Sequence, residues 1–325
     1  MAAGPAALLA LLKRHPRAVA AAQALAFVIF IGFAVWAVQG DFHDAAQRLR
    51  DASLFDFLLG CAAVAAYYLL FVVGWMRILG AWGIEIPYGV ALRAEMVSML
   101  AKYVPGGVWT PAARVVAARR AGITDAGLVT ASMFLEAGIS AVAGIIVFVV
   151  SLSWEKGVDA PLVPLLVFGV VVAVLVHPRI FQPLASRIVR RFGGQELPPL
   201  PEGTLLGLLA YYSFTWLVGG IGLFFMVRAV GGSPDLATVA FMGGVGAVGA
   251  IVAVLAIFAP SGLGPREATM YGLLLAVTSQ GAALGATVLN RVAITVVELL
   301  LFVVGGLVFR ARDEASGREL AESQT

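Results

Sequence analysis

A chain of 325 residues that is 61% hydrophobic and only 13% charged is not a water-soluble globular domain, which carries about 25% charged residues. Its net charge of +3 would suggest a nucleic-acid partner in a soluble protein. Here the basic residues fall in short loops between apolar runs, where they mark cytoplasmic loops of a membrane protein instead.

The first apolar run, 18–38, follows Lys13, Arg14 and Arg17. It is longer than a signal-peptide core and is expected to be a retained span. Further spans are expected at 54–79, 124–150, 161–177, 204–229 and 284–308. Loop charge orients them. The loops 39–53 and 151–160 are neutral to acidic and are assigned outside. The loop 178–203, with Arg179, Arg187, Arg190 and Arg191, is assigned inside, as are both termini. A multi-pass protein of the bacterial cytoplasmic (inner) membrane is the setting these features predict, in a single integral membrane domain over 1–325.

Two apolar regions, 88–120 and 235–278, are broken by proline and glycine. The first must enter and leave on the cytoplasmic side, because Arg114, Arg119 and Arg120 precede the third span. Its second arm, 110–120, is about 16 Å of helix, too short for a hydrocarbon core of about 30 Å. The second arm of the other region, from Pro265 to Thr278, is about 20 Å and also too short. Its first arm, 235–258, is long enough to span. The expected fold is therefore all-α: a transmembrane helical bundle with two re-entrant hairpins dipping from opposite faces, arranged as an inverted repeat. Transporters built this way place their site where broken helices meet near the midplane.

The first break reads Lys102-Tyr103-Val104-Pro105-Gly106-Gly107-Val108-Trp109-Thr110-Pro111. Pro105 stops a helix, and Gly106 and Gly107 permit a reversal. Thr110 and Pro111 fit the N-cap and first position of a new helix, whose free N–H groups suit an anion. Arg114 lies one turn further on. The second break, Pro260-Ser261-Gly262-Leu263-Gly264-Pro265-Arg266-Glu267, repeats the logic, with Ser261 or Gly264 as the cap and Arg266 in the opening turn.

Ionisable residues inside spans are costly and so are functional or paired. Glu136 lies in 124–150, and Arg291 and Glu298 lie in the last span, seven residues apart on one helix face. Glu95 and Lys102 repeat that spacing before the first break. Structural ion pairing is the competing reading for these glutamates. The glycines Gly243, Gly244, Gly246 and Gly249 read as helix packing rather than a phosphate loop. One cysteine, Cys61, and three scattered histidines offer no disulfide and no metal-ligand spacing, so no metal and no cofactor are expected.

At these motifs the chain resembles the membrane domain of lysylphosphatidylglycerol synthases and their stand-alone relatives. The resemblance rests on the Lys-Tyr-hydrophobic-Pro-Gly segment at Lys102–Gly107, on the short basic helix Arg114–Arg120, on Pro260–Glu267, and on Arg291 in the last span. Ser261 stands where that family commonly has glycine, and Pro265 where it has a small aliphatic residue. The resemblance implies lipid translocation, of an aminoacylated phosphatidylglycerol or of a polyprenyl-phosphate sugar. The chain ends soon after the last span, so the soluble synthase domain of the full-length enzymes is not expected in it.

The leading expectation is a flippase, not an enzyme, that moves a phosphate-bearing lipid. Lys102, Gly106, Gly107, Thr110, Arg114, Ser261, Gly262, Gly264, Arg266 and Arg291 would meet the head group. Glu95, Glu136, Glu267 and Glu298 would act as gating or ion-pair residues. A separate lipid synthase or glycosyltransferase is the expected partner, and nucleic acid is not one. The alternatives are an integral-membrane lipid-modifying transferase and a non-transporting accessory subunit of a cell-envelope lipid pathway.

Overall fold

The computed structural model describes residues 42–103, 109–120, 122–155, 162–191, 195–256 and 259–322, the last helix with side chains to 305. The expected span 18–38 and the candidate residues Gly106 and Gly107 lie outside the described residues.

Among the described residues the chain is all helix and turn. The helices are α1 (Phe42–Arg50), α2 (Leu54–Ala81), α3 (Tyr88–Ala101), α4 (Trp109–Arg120), α5 (Ala126–Ser151), α6 (Leu162–Val176), α7 (Pro178–Arg191), α8 (Glu202–Ala229), α9 (Val239–Leu255), α10 (Pro265–Leu274) and α11 (Gln280–Glu322). Capping fixes where the long ones start. Ser53 accepts from Asp56 N (3.3 Å) at the head of α2, and Asp125 accepts from Leu128 N (3.0 Å) at the head of α5.

Among the described residues five helical segments are long and apolar enough to cross a bilayer: Leu54–Ala81, Ala126–Ser151, Glu202–Ala229, Leu236–Leu255 and Gln280–Gly305. They match four of the expected spans and the first arm of 235–278. Large apolar side chains such as Leu58, Phe134, Phe214 and Leu300 face outward, as lipid contact requires and water does not favour. The chain is a multi-pass membrane protein.

The remaining helices explain where the sequence reading blurred. Expected span 161–177 is the 15-residue α6, which turns by 71° at His177 into α7. The sequence left 178–203 as a loop, yet residues 178–191 form a helix whose arginines Arg179, Arg187, Arg190 and Arg191 are exposed beside Ile180, Leu184 and Ile188. That two-sided composition suits the bilayer interface. Helices α3 and α4 have 14 and 12 residues, about 21 and 18 Å, so neither reaches across alone. They fold back on each other, since Arg114 meets Glu95 and Ser98 on either side of the connection.

Helix α8 lies at the centre, packed on α2, α5, α9 and α11. Its contact with α9 is a glycine seam. A methyl group on Gly220 would come 2.2 Å from the Val239 carbonyl, and one on Gly243 would come 2.5 Å from the Trp216 carbonyl. One on Gly244 would strike α5 at Phe148 Cα, 2.6 Å away. Small residues let these backbones approach where lipid supplies no hydrophobic drive.

Candidate functional site

Three polar clusters lie inside the bundle. The first surrounds Arg114 of α4. Its Nη1 donates to Glu136 of α5 (2.8 Å), its Nη2 pairs with Glu95 of α3, and its Nε donates to Ser98 Oγ (3.2 Å). The guanidinium also stacks over Trp75, 4.9 Å from the ring centroid. Tyr212 of α8 donates to the other Glu136 oxygen (3.0 Å). Glu95, Arg114 and Glu136 are each only 3% exposed, so the donors of this arginine are already committed.

The second cluster is built on Glu298, which is 1% exposed. Lys102 and Tyr68 both donate hydrogen bonds to its Oε1, and Tyr103 donates to its Oε2 (2.9 Å). In the third, Arg291 donates to Glu267 (3.2 Å) and to the Ser261 carbonyl (3.3 Å). Glu298 and Arg291 share one face of α11 two turns apart. That face therefore holds Lys102 and Tyr103 of the first motif and Ser261 and Glu267 of the second. Tyr103 links the two clusters, with the Arg291 guanidinium 5.9 Å from its ring.

The second break is built as its residues dictate. Ser261 and Gly262 take left-handed φ values of 54° and 65°, and Gly264 takes 96°. At Gly262 a side chain is excluded twice, by conformation and by Ala253, whose Cα lies 2.5 Å from where a Cβ would sit. Pro265 opens α10, and Glu267 reaches back to accept from Gly264 N (2.7 Å). The helix start expected to offer free N–H groups to an anion is thus partly filled by the chain's own carboxylate. In the first break, α4 opens at Trp109, so Thr110 and Pro111 lie in its first turn and Thr110 is half-buried.

Arg266 stands apart. Among the described residues it makes no ion pair and no hydrogen bond. It lines a partly open cavity of about 190 Å³ together with Tyr67, Tyr68, Trp216, Gly246, Met270 and Asn290. The Tyr67 hydroxyl has no hydrogen-bond partner among the described residues, and the Asn290 amide meets only the Met270 thioether, at 3.9 Å. Three donors thus converge on one space without a paired carboxylate among the described residues. Tyr67, Trp216 and Gly246 sit at or beside the midpoints of α2, α8 and Leu236–Leu255, and Ile294, also in the lining, is near that of Gln280–Gly305. The cavity therefore lies at mid-height of four membrane-long segments. At about 15 Å³ per water it has room for on the order of ten waters, enough for a head-group phosphate but not for a whole lipid.

The structure therefore gathers Lys102, Ser261, Gly262, Gly264, Arg266, Arg291, Glu267 and Glu298 around α11, and gathers Arg114, Glu95 and Glu136 into a separate buried triad. Sequence reasoning missed Tyr67, Tyr68, Tyr212 and Asn290. The sequence reading singled out no tyrosine inside an apolar run. Asn290, a polar residue in a span beside Arg291, was the signal that could have been followed. Among the described residues no group of three or more His, Cys, Asp or Glu could hold a metal ion.

Residues 23–301 match the family model described as the lysylphosphatidylglycerol synthase TM region. A search of curated proteins returned no match.

Proposed function

The chain belongs to the lysylphosphatidylglycerol synthase TM-region family, and we propose that it moves a phosphate-bearing lipid from one leaflet to the other. The observation that carries this reading is the unpartnered Arg266 guanidinium in a mid-height cavity, beside the donors Tyr67 and Asn290. A half-buried cation at membrane mid-height without a protein carboxylate is costly, and a phosphodiester would neutralise it. The cavity holds the head group while the chains stay in lipid. Polyprenyl-phosphate sugars and aminoacyl-phosphatidylglycerol are the lipid classes this reading favours, delivered by a separate glycosyltransferase or lipid synthase at the cytoplasmic membrane.

In this reading access alternates between the two faces. The α3–α4 and α9–α10 units serve as broken elements entering from opposite faces, and α11 clasps both through Glu298 and Arg291. Breaking one clasp while keeping the other opens the cavity to one side. Glu267 is committed to Arg291 and Gly264, which leaves Arg266–Glu267 without the free carboxylate a transferase would need as acid or base.

The test is head-group transfer in proteoliposomes, using labelled phosphatidylglycerol, an aminoacylated phosphatidylglycerol and a polyprenyl-phosphate sugar. Transfer of at least one above the rate in protein-free liposomes, reduced in Arg266→Ala, is the expected result. Rates equal to protein-free liposomes for all three lipids would remove the reading.

A further inference from the structure

Among the described residues, and apart from the Asp56–Arg228 pair at the ends of α2 and α8, the bundle interior contains four carboxylates, Glu95, Glu136, Glu267 and Glu298, and four cations, Lys102, Arg114, Arg266 and Arg291. Their numbers balance but their placement does not. Lys102 with Glu298 and Arg291 with Glu267 are one-to-one pairs. Arg114 faces two carboxylates, and Arg266 faces none. The triad thus holds one negative charge too many, and the cavity one positive charge too many.

Among the described residues Arg114 is the one cation paired with the triad. The other arginines of α4, Arg119 and Arg120, are exposed. From α8 comes the Tyr212 hydroxyl, which is neutral. Just past α3, Lys102 is within electrostatic reach of Glu95 but bonded to Glu298 of α11, and Arg93 of α3 is exposed. From α2, Arg77 lies over Tyr211 instead. Helices α6 and α9 carry no ionisable residue, and the arginines of α7 are exposed. Glu95 Oε2 has no hydrogen-bond partner beyond its ion pair with Arg114 among the described residues. A surplus carboxylate charge in such a place persists only while a nearby positive charge offsets it, and otherwise binds a proton. Tyr67, at the wall of the cavity, lies within electrostatic reach of Arg266, Glu136 and Glu95 alike, so the two charge centres act on a common space.

We propose that the Glu95–Arg114–Glu136 triad takes up one proton when an anionic head group occupies the Arg266 cavity, so that lipid and proton cross the membrane together. This rests on the cavity being the head-group site. With the cavity free of anion, the deprotonated triad and Arg266 balance. A phosphodiester monoanion at Arg266 adds one negative charge, and a proton added to a triad carboxylate restores neutrality. The proton comes from water on the side where the cavity opens, and it is lost to water on the other side as the head group leaves. No bond other than O–H is made or broken. Linkage is reciprocal, so proton and head group tighten each other's binding by the same factor.

The test uses purified full-length protein in weakly buffered detergent solution, with dioctanoyl-phosphatidylglycerol as probe. Binding and pH change are read together. Wild-type protein takes up about one proton per probe bound, and where uptake occurs probe affinity falls about tenfold per pH unit of alkalinisation. Glu95→Gln, which leaves one carboxylate per guanidinium, still binds the probe and takes up none. In proteoliposomes a gradient of one pH unit drives up to a tenfold probe asymmetry for wild type, and a potassium-diffusion potential drives none. Probe binding without proton uptake overturns the linkage and leaves the head-group reading standing. No probe binding by wild type at millimolar probe overturns both.

Discussion

Arg114 and Arg266 follow the same local sequence logic: a proline-glycine break, a short helix, an arginine in its first turns. Their surroundings are opposite. Arg114 is enclosed by Glu95, Glu136, Ser98 and Trp75. Arg266 lines a cavity and has no carboxylate partner among the described residues. The difference shows that an arginine's place in a motif does not reveal whether its charge is already spent, because the partners that decide this come from distant helices. The hardest way to break the comparison is Arg114→Ala. It strands two buried carboxylates, and removing one partner of a buried ion pair costs about 3–5 kcal/mol. Thermal unfolding in detergent should show this loss, largest at alkaline pH, where proton uptake no longer rescues the carboxylates. An unaltered unfolding temperature would mean that the triad is not the closed lock described here.

Arg266→Ala should do the reverse. No protein partner is stranded, so stability changes by less than about 1 kcal/mol. Head-group transfer, by contrast, should fall at least tenfold, because a charge-assisted contact to phosphate contributes about 1.5–3 kcal/mol. Transfer rates in proteoliposomes, paired with unfolding temperatures, check both halves. A variant that loses stability instead of transport would merge the two arginines into one structural class.

How much of this was legible in the sequence depends on whether the signal was local. Span positions, the two breaks and the ionisable candidates follow from composition, proline and glycine, which act within a few residues. The pairing was not legible, since Glu136 lies 22 residues from Arg114 and Glu298 lies 196 from Lys102, and no spacing rule links such positions. Helix α7 was hidden because its arginines announce a cytoplasmic loop as strongly as an interfacial helix. The expected anion site at the start of α10 failed on a nearer competitor, the Glu267 carboxylate. Tyr68 and Tyr212 were hidden by their neighbours, because an aromatic residue in an apolar run carries no mark of what its hydroxyl meets.

Glu298 sharpens the comparison at intermediate size. Like the triad it is saturated, but with hydroxyls and a lysine in place of a second carboxylate. Tyr68→Phe removes one of three donors and leaves Lys102 and Tyr103 in place. The expected loss is about 1 kcal/mol of stability, far below that for Arg114→Ala and readable by the same unfolding measurement. A loss as large as that of Arg114→Ala would mean that Lys102 does not hold Glu298 by itself.

The smallest effect concerns the turn that presents Arg266. Ser261 adopts φ 54°, which costs a non-glycine residue roughly 1–2 kcal/mol, and the family commonly has glycine there. Ser261→Gly relieves that cost but adds about 0.4–1 kcal/mol of unfolded-chain entropy. A net gain of about 0.5 kcal/mol is expected, seen as a small rise in unfolding temperature. Transport should be unchanged, because Arg291 is held by the Ser261 carbonyl and not by its hydroxyl. Slower head-group transfer with a rise in stability would instead make the Ser261 hydroxyl a head-group contact, and the space around Arg266 would then include a donor from its own turn.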